Sequence, residues 1–151
     1  MFNYYAQNQD KGFPGMKANT TVDTVDSFAS EGGVNPGDPV IRGTDPEKQV
    51  TVAATSGDGA KVIGIAVHTH KDPNETGAYY EDGYCLPVMT SGDIYVTAGD
   101  DSIVAGGQAY VSISGGTATF VSGGEGAESV SGMKFMESGT EGDIVRVRIR
   151  N

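Results

Sequence analysis

The stretch YCLPVMTSGDIYVTAGDDSIVAGGQAYVSISGGTATF, residues 84–120, decides the fold. In it, short runs of β-branched and aromatic residues alternate at near-even spacing with glycine and aspartate, the pattern of strands separated by turns. Leu86 to Met89 reads as one strand, Ser91-Gly92-Asp93 as a turn and Ile94 to Thr97 as the next strand. Beyond Ala98 to Asp101, the runs Gln108 to Ile113 and Thr117 to Val121 flank Ser114-Gly115-Gly116, which predicts a glycine-pair hairpin. The expected arrangement is an antiparallel meander. A few short strands bury too little apolar surface to stand alone in water, so the flanking segments must add a second layer or close a barrel.

Working outward, Val40-Ile41-Arg42 and Gln49 to Val52 read as two short strands introduced by the turn Asn35-Pro36-Gly37-Asp38-Pro39. Val62 to Val67 is the most apolar run and lacks clean alternation, so it should be buried on both faces and sit centrally in its layer. Val130 to Phe135 is a further strand. The last, Ile144 to Ile149, alternates strictly, placing Val145, Val147 and Ile149 on one face and Arg146, Arg148 and Arg150 on the other. No window of helical length carries apolar positions at a 3.6-residue period without a glycine or proline. The class is therefore all-β: a single compact β-sandwich or small β-barrel of about 8–9 short antiparallel strands.

At 151 residues one domain is expected. Residues 1 to about 30 differ from the rest of the chain, being polar with irregularly spaced aromatics, and read as an extended N-terminal arm on a β-rich domain of residues 31–151. Phe2, Tyr4, Tyr5 and Phe13 are its candidate anchors. The arm either folds back over an open edge of its own sheet or reaches a neighbouring subunit, and the second reading makes these four aromatics contact residues. Asp72 to Gly83 is a polar loop offering Tyr79 and Tyr80 as further contacts. Gly123 to Glu128 is a second, acidic loop.

The formal charge of −10 argues against a nucleic-acid partner, which needs clustered Lys and Arg, and against a membrane surface. No run of about 18 apolar residues could span a bilayer. The first ten residues lack the basic and apolar regions of a secretory signal, so synthesis in a cytoplasm without secretion is expected. The single Cys85 lies in a strand-like run, where a small buried hydrophobe is the expectation.

The chemistry on offer is thin. His68 and His70 could begin a metal site, with Glu81, Asp82 and Cys85 as conceivable partners, but no ligand-spacing pattern supports one and no metal or other cofactor is expected. A nucleophile elbow is missing, and Asp100-Asp101 reads as solvated turn carboxylates. No catalytic residues are assigned. Three of the four arginines fall on alternate positions of the last strand in an acidic chain, so Arg146, Arg148 and Arg150 are candidate contacts for an acidic partner. The competing reading is an edge strand blunted by charge, or arginines paired with their own acidic neighbours.

Taken in order, Gly12-Phe13-Pro14-Gly15-Met16, Thr24-Val25-Asp26-Ser27, Gly37-Asp38-Pro39-Val40 with Arg42-Gly43, Gly64 to Lys71, and Tyr80-Glu81-Asp82-Gly83 with Leu86 to Met89 resemble the structural cement proteins that decorate tailed-bacteriophage heads. Gly106-Gly107-Gln108 departs from the pattern, a glycine–aspartate pair being expected there. The resemblance implies a β-rich virion protein on the capsid exterior. It would bind at junctions between capsomers of the major capsid protein, associate with itself as a dimer or trimer, stabilise the shell, and have no enzymatic activity. The alternative is an acidic carbohydrate-binding or adhesin-like module, for which Tyr79, Tyr80 and Tyr84 are the stacking candidates.

Overall fold

The computed structural model describes residues 11–19, 22–70 and 77–150. Among these residues nine strands form one continuous hydrogen-bonded system, in order β1-β3-β2-β4-β5-β9-β8-β6-β7. They are β1 Thr24–Ser30, β2 Pro39–Arg42, β3 Gln49–Val52, β4 Gly64–Ala66, β5 Cys85–Thr97, β6 Gln108–Ser114, β7 Thr117–Val121, β8 Glu128–Phe135 and β9 Ile144–Ile149. The only helical element among the described residues is a 3-10 turn, Gly59–Lys61. The protein is all-β, and it includes a closed five-stranded barrel.

One strand serves two lobes. The first half of β5 pairs with β1 and β4, and because β1 also pairs with β3, and β2 with both β3 and β4, these five strands close into a ring. The second half of β5 pairs with β9, beyond which lie β8, β6 and β7. A single parallel bridge, Ala98 to Phe120, brings β7 back to the end of β5. The interior is filled by two apolar clusters. Phe28, Val34, Val40, Val50, Tyr80, Leu86 and Val88 form one inside the closed ring, while Ile94, Val96, Val111, Phe120, Met133, Phe135, Val145, Val147 and Ile149 form the other, joined by Ile65 of β4, Met89 of β5 and Val67.

Several expectations are met in detail. The hairpin β6–β7 turns on Gly115 and Gly116 at φ 59° and 80°, the double positive φ that favours glycine in a two-residue turn. In β9, Val145, Val147 and Ile149 are buried as the alternation predicts. β4 lies between β2 and β5 with all three residues buried, although it is shorter than the Val62–Val67 run. Gly64 explains the central position: a Cβ there would stand 2.3 Å from the Met89 carbonyl oxygen, so β4 and β5 approach as closely as they do only with glycine at this position.

Others are corrected. Ser91-Gly92-Asp93 is not a turn: the chain runs straight on as the 13-residue β5, and Gly92, at φ 131°, is where the strand passes from one lobe to the other. The 84–120 stretch is not a meander, because β9 occupies the place beside β5 and the 98–107 connection crosses to the far side of the second lobe. β1 and β3 form a parallel ladder, whereas the other ladders among the described residues are antiparallel. Cys85 is exposed at the start of β5 rather than buried.

Candidate interaction surface

The segment read as an arm does two things where it is described. Its last seven residues are β1, an integral strand of the closed lobe. Further upstream, Gly15 to Ala18 lies along the free side of β5: Gly15 N donates to Tyr95 O at 2.9 Å, Tyr95 N to Met16 O at 3.0 Å and Ala18 N to Asp93 O at 3.0 Å. Residues 15–18 thus cover an edge of their own sheet. Phe2, Tyr4 and Tyr5 lie outside the described residues. Phe13 is 45% exposed.

Phe13 heads a row of rings. Its centroid is 4.7 Å from that of His68, edge-on; His68 is 5.2 Å from Tyr79, Tyr79 5.0 Å from Tyr80, and Tyr80 6.4 Å from Tyr84. The hydroxyls anchor this row, Tyr79 donating to the Thr69 carbonyl and Tyr80 to that of Val67. Tyr80 is fully buried, and burial pushes its phenol above the ordinary tyrosine range. It therefore serves the core and cannot be a loop contact. The polar sequence around it gave no sign of this, because the Val34–Tyr80 bridge that draws it inward is long-range. With Tyr80 buried and Tyr79 edge-on to it, the three tyrosines do not make a flat platform for stacking on a sugar. His68 lies between Phe13 and Tyr79, and among the described residues no three His, Cys, Asp or Glu side chains converge on one point.

The arginine face is divided. Asp93, which the sequence presented as a turn residue, is 2% exposed and directly opposite Arg148. Arg148 Nε donates to Asp93 Oδ1 at 2.7 Å and Nη2 to Oδ2 at 2.9 Å, a bidentate pair. Asn19 Nδ2 donates to the same Oδ2 at 2.8 Å, and Arg146 Nη1 stands 3.8 Å from it. Arg148 is the first cause holding the Asp93 carboxyl below the usual carboxylate range, against the opposing effect of burial. Two of the three arginines thus converge on a carboxylate of their own chain, while Arg150 is exposed.

Arg150 borders a groove of about 400 Å³ lined by Gly106, Gly132, Lys134, Met136, Arg148 and Arg150. Lys134 is the cross-strand partner of Arg148. Sequence reasoning did not place Lys134 beside the arginines, since only the register of β8 against β9 brings it there. The acidic loop is shorter than expected, because Glu128 begins β8 and its carboxylate accepts from Ala60 N at 2.9 Å.

The chain matches, over residues 2–150, the family described as structural cement protein (E217 gp24/Pam3 gp6). It belongs to the phage structural cement protein family. This cement protein also shares its fold with a chain from the capsid of Myoviridae Phage XM1, at a TM-score of 0.75 and 16% identity over 100% of this chain and 98% of that one. No curated protein matches it. Family membership gives the cement protein a structural role in the phage capsid, and hence a place in the virion.

Proposed function

We propose that this protein binds the outer surface of the icosahedral shell at junctions between capsomers of the major capsid protein and, as a dimer or trimer, stabilises the shell there. The observation that carries the reading is the family match over residues 2–150. The architecture supports it: a clamp must transmit load without yielding, and here two lobes share one unbroken strand, with Ile65 and Met89 of the closed ring packed into the apolar cluster of the second lobe. Exposed features suited to contact lie on both lobes, with Phe13 and Tyr84 beside the first and Lys134 and Arg150 on the second. The arm aromatics Phe2, Tyr4 and Tyr5 remain candidate anchors for a neighbour. Separated contacts that engage two capsomers at once multiply through effective concentration, raising apparent affinity by roughly 10² to 10⁴ fold without any single strong contact.

The test is reconstitution. Heads stripped of this protein and incubated with it should regain density over capsomer junctions in a cryo-EM reconstruction, at a copy number near that of the major capsid protein. Density confined to the head interior, or binding only to a non-capsid component, would refute the reading.

A further inference from the structure

We propose that the groove between β8, β9 and the Gly106 loop is a docking site for an acidic, extended segment of the capsid shell, held by Lys134 and Arg150. This rests on the capsid-binding role above and names the chemistry of the partner. The inward residues of the two strands, Met133, Phe135, Val147 and Ile149, are buried, so Lys134, Arg148 and Arg150 stand on the outward face. There β8 bulges: its register against β6 slips between Gln108 and Tyr110, and Gly132 takes φ 70°. The bulge lies where the groove opens.

Its lining holds three cations and no carboxylate, on a chain whose formal charge is −10. Arg148 is already fixed by Asp93. Lys134 and Arg150, by contrast, make no ion pair among the described residues. Two cations with no ion pair among the described residues, beside a fixed third, call for carboxylates, and Met136 adds one aliphatic side chain to the lining. A two-fold pairing of copies through this face would set basic groove against basic groove, so it disfavours self-association here. Duplex DNA is disfavoured too, because two free cations offset few phosphates while the remaining surface repels them. The complementary occupant is an Asp- or Glu-bearing strand or loop of the shell.

Zero-length carbodiimide coupling joins an amine directly to a carboxylate it touches. Applied to decorated heads, it should link Lys134 to an Asp or Glu of the major capsid protein. In parallel, the double variant Lys134→Glu/Arg150→Glu should keep the thermal midpoint of the free protein. It should bind stripped heads at least about tenfold more weakly at low salt, with a flatter salt dependence. Failure of the wild-type protein to bind heads would refute the capsid-binding role itself. Wild-type binding with an equally strong, folded double variant would overturn the groove alone. A Lys134 link to a second copy of this chain, or binding of a duplex oligonucleotide that the double variant loses, would replace the proposed occupant. If the double variant does not fold, the wild-type cross-link decides.

Discussion

Asp93 and Arg148 face each other across β5 and β9, and the guanidinium grips both carboxylate oxygens at 2.7 and 2.9 Å. The pair does more than join two strands. Asn19, just past the segment that runs along β5, donates to the same carboxylate, so one buried acid ties the N-terminal segment, the shared strand and the C-terminal strand together.

Removing the charge should therefore cost stability. Asp93→Asn leaves Arg148 without its bidentate acceptor, a loss of about 1–3 kcal/mol, kept below the cost of breaking a fully dry pair because Arg148 is still partly solvated. The midpoint of thermal unfolding should fall by roughly 3–10 °C. Arg148→Gln should lower it as well, while Arg150→Gln should scarcely move it. Equal effects of the two arginine changes would show that the Asp93 pair is not what sets Arg148 apart.

The same pair predicts a pH dependence. Asp93 titrates below its unfolded value, which is near about 3.9, so its contribution is fully present above that pH and is lost as pH falls through the depressed folded value. The gap in thermal midpoint between the wild type and Arg148→Gln should be wide at neutral pH and narrow in acid. A gap that stays constant down to strongly acid pH would contradict the assignment.

Two glycines should resist substitution for different reasons. Gly64→Ala drives a Cβ against the Met89 backbone oxygen, and Gly92→Ala combines φ 131° with a 2.7 Å approach to the Asp23 Cβ. Both should fold poorly or not at all, whereas Gly57→Ala, with open space around it, should lose only about 1 kcal/mol from its positive φ. Circular dichroism and denaturant titration of the three variants would reveal a wrong ranking.

The arm divides in the same way. Because residues 15–18 pair with β5 and Thr24–Ser30 is a strand of the closed lobe, a deletion through residue 30 should unfold the protein. Deleting residues 1–10 should leave the fold intact and weaken attachment to heads through loss of Phe2, Tyr4 and Tyr5. Unchanged attachment by that truncated chain would remove the arm aromatics from the contact set.

What was legible in the sequence was local. The β6–β7 hairpin could be read because two glycines sit between two strand-like runs, and β9 because its alternation is uninterrupted. β5 was cut in two, since glycine beside aspartate signals a turn in a short window, yet the same glycine serves a long strand that changes lobes. Strand order was hidden because β9 inserts beside β5 from about 50 residues away, a pairing no local pattern encodes. The partner of Arg148 was hidden for the same reason. Asp93 carried one usable signal, a lone acid between apolar runs that could be joined into a single strand.

In the proposed role, this protein binds the intact shell and so stabilises that form by mass action. The most direct measurement is the temperature at which heads release their genome, read with a DNA-binding dye on decorated heads, stripped heads, and stripped heads given the protein back. The account predicts a lower release temperature on stripping and its restoration on re-addition. Identical release temperatures in all three samples would contradict it.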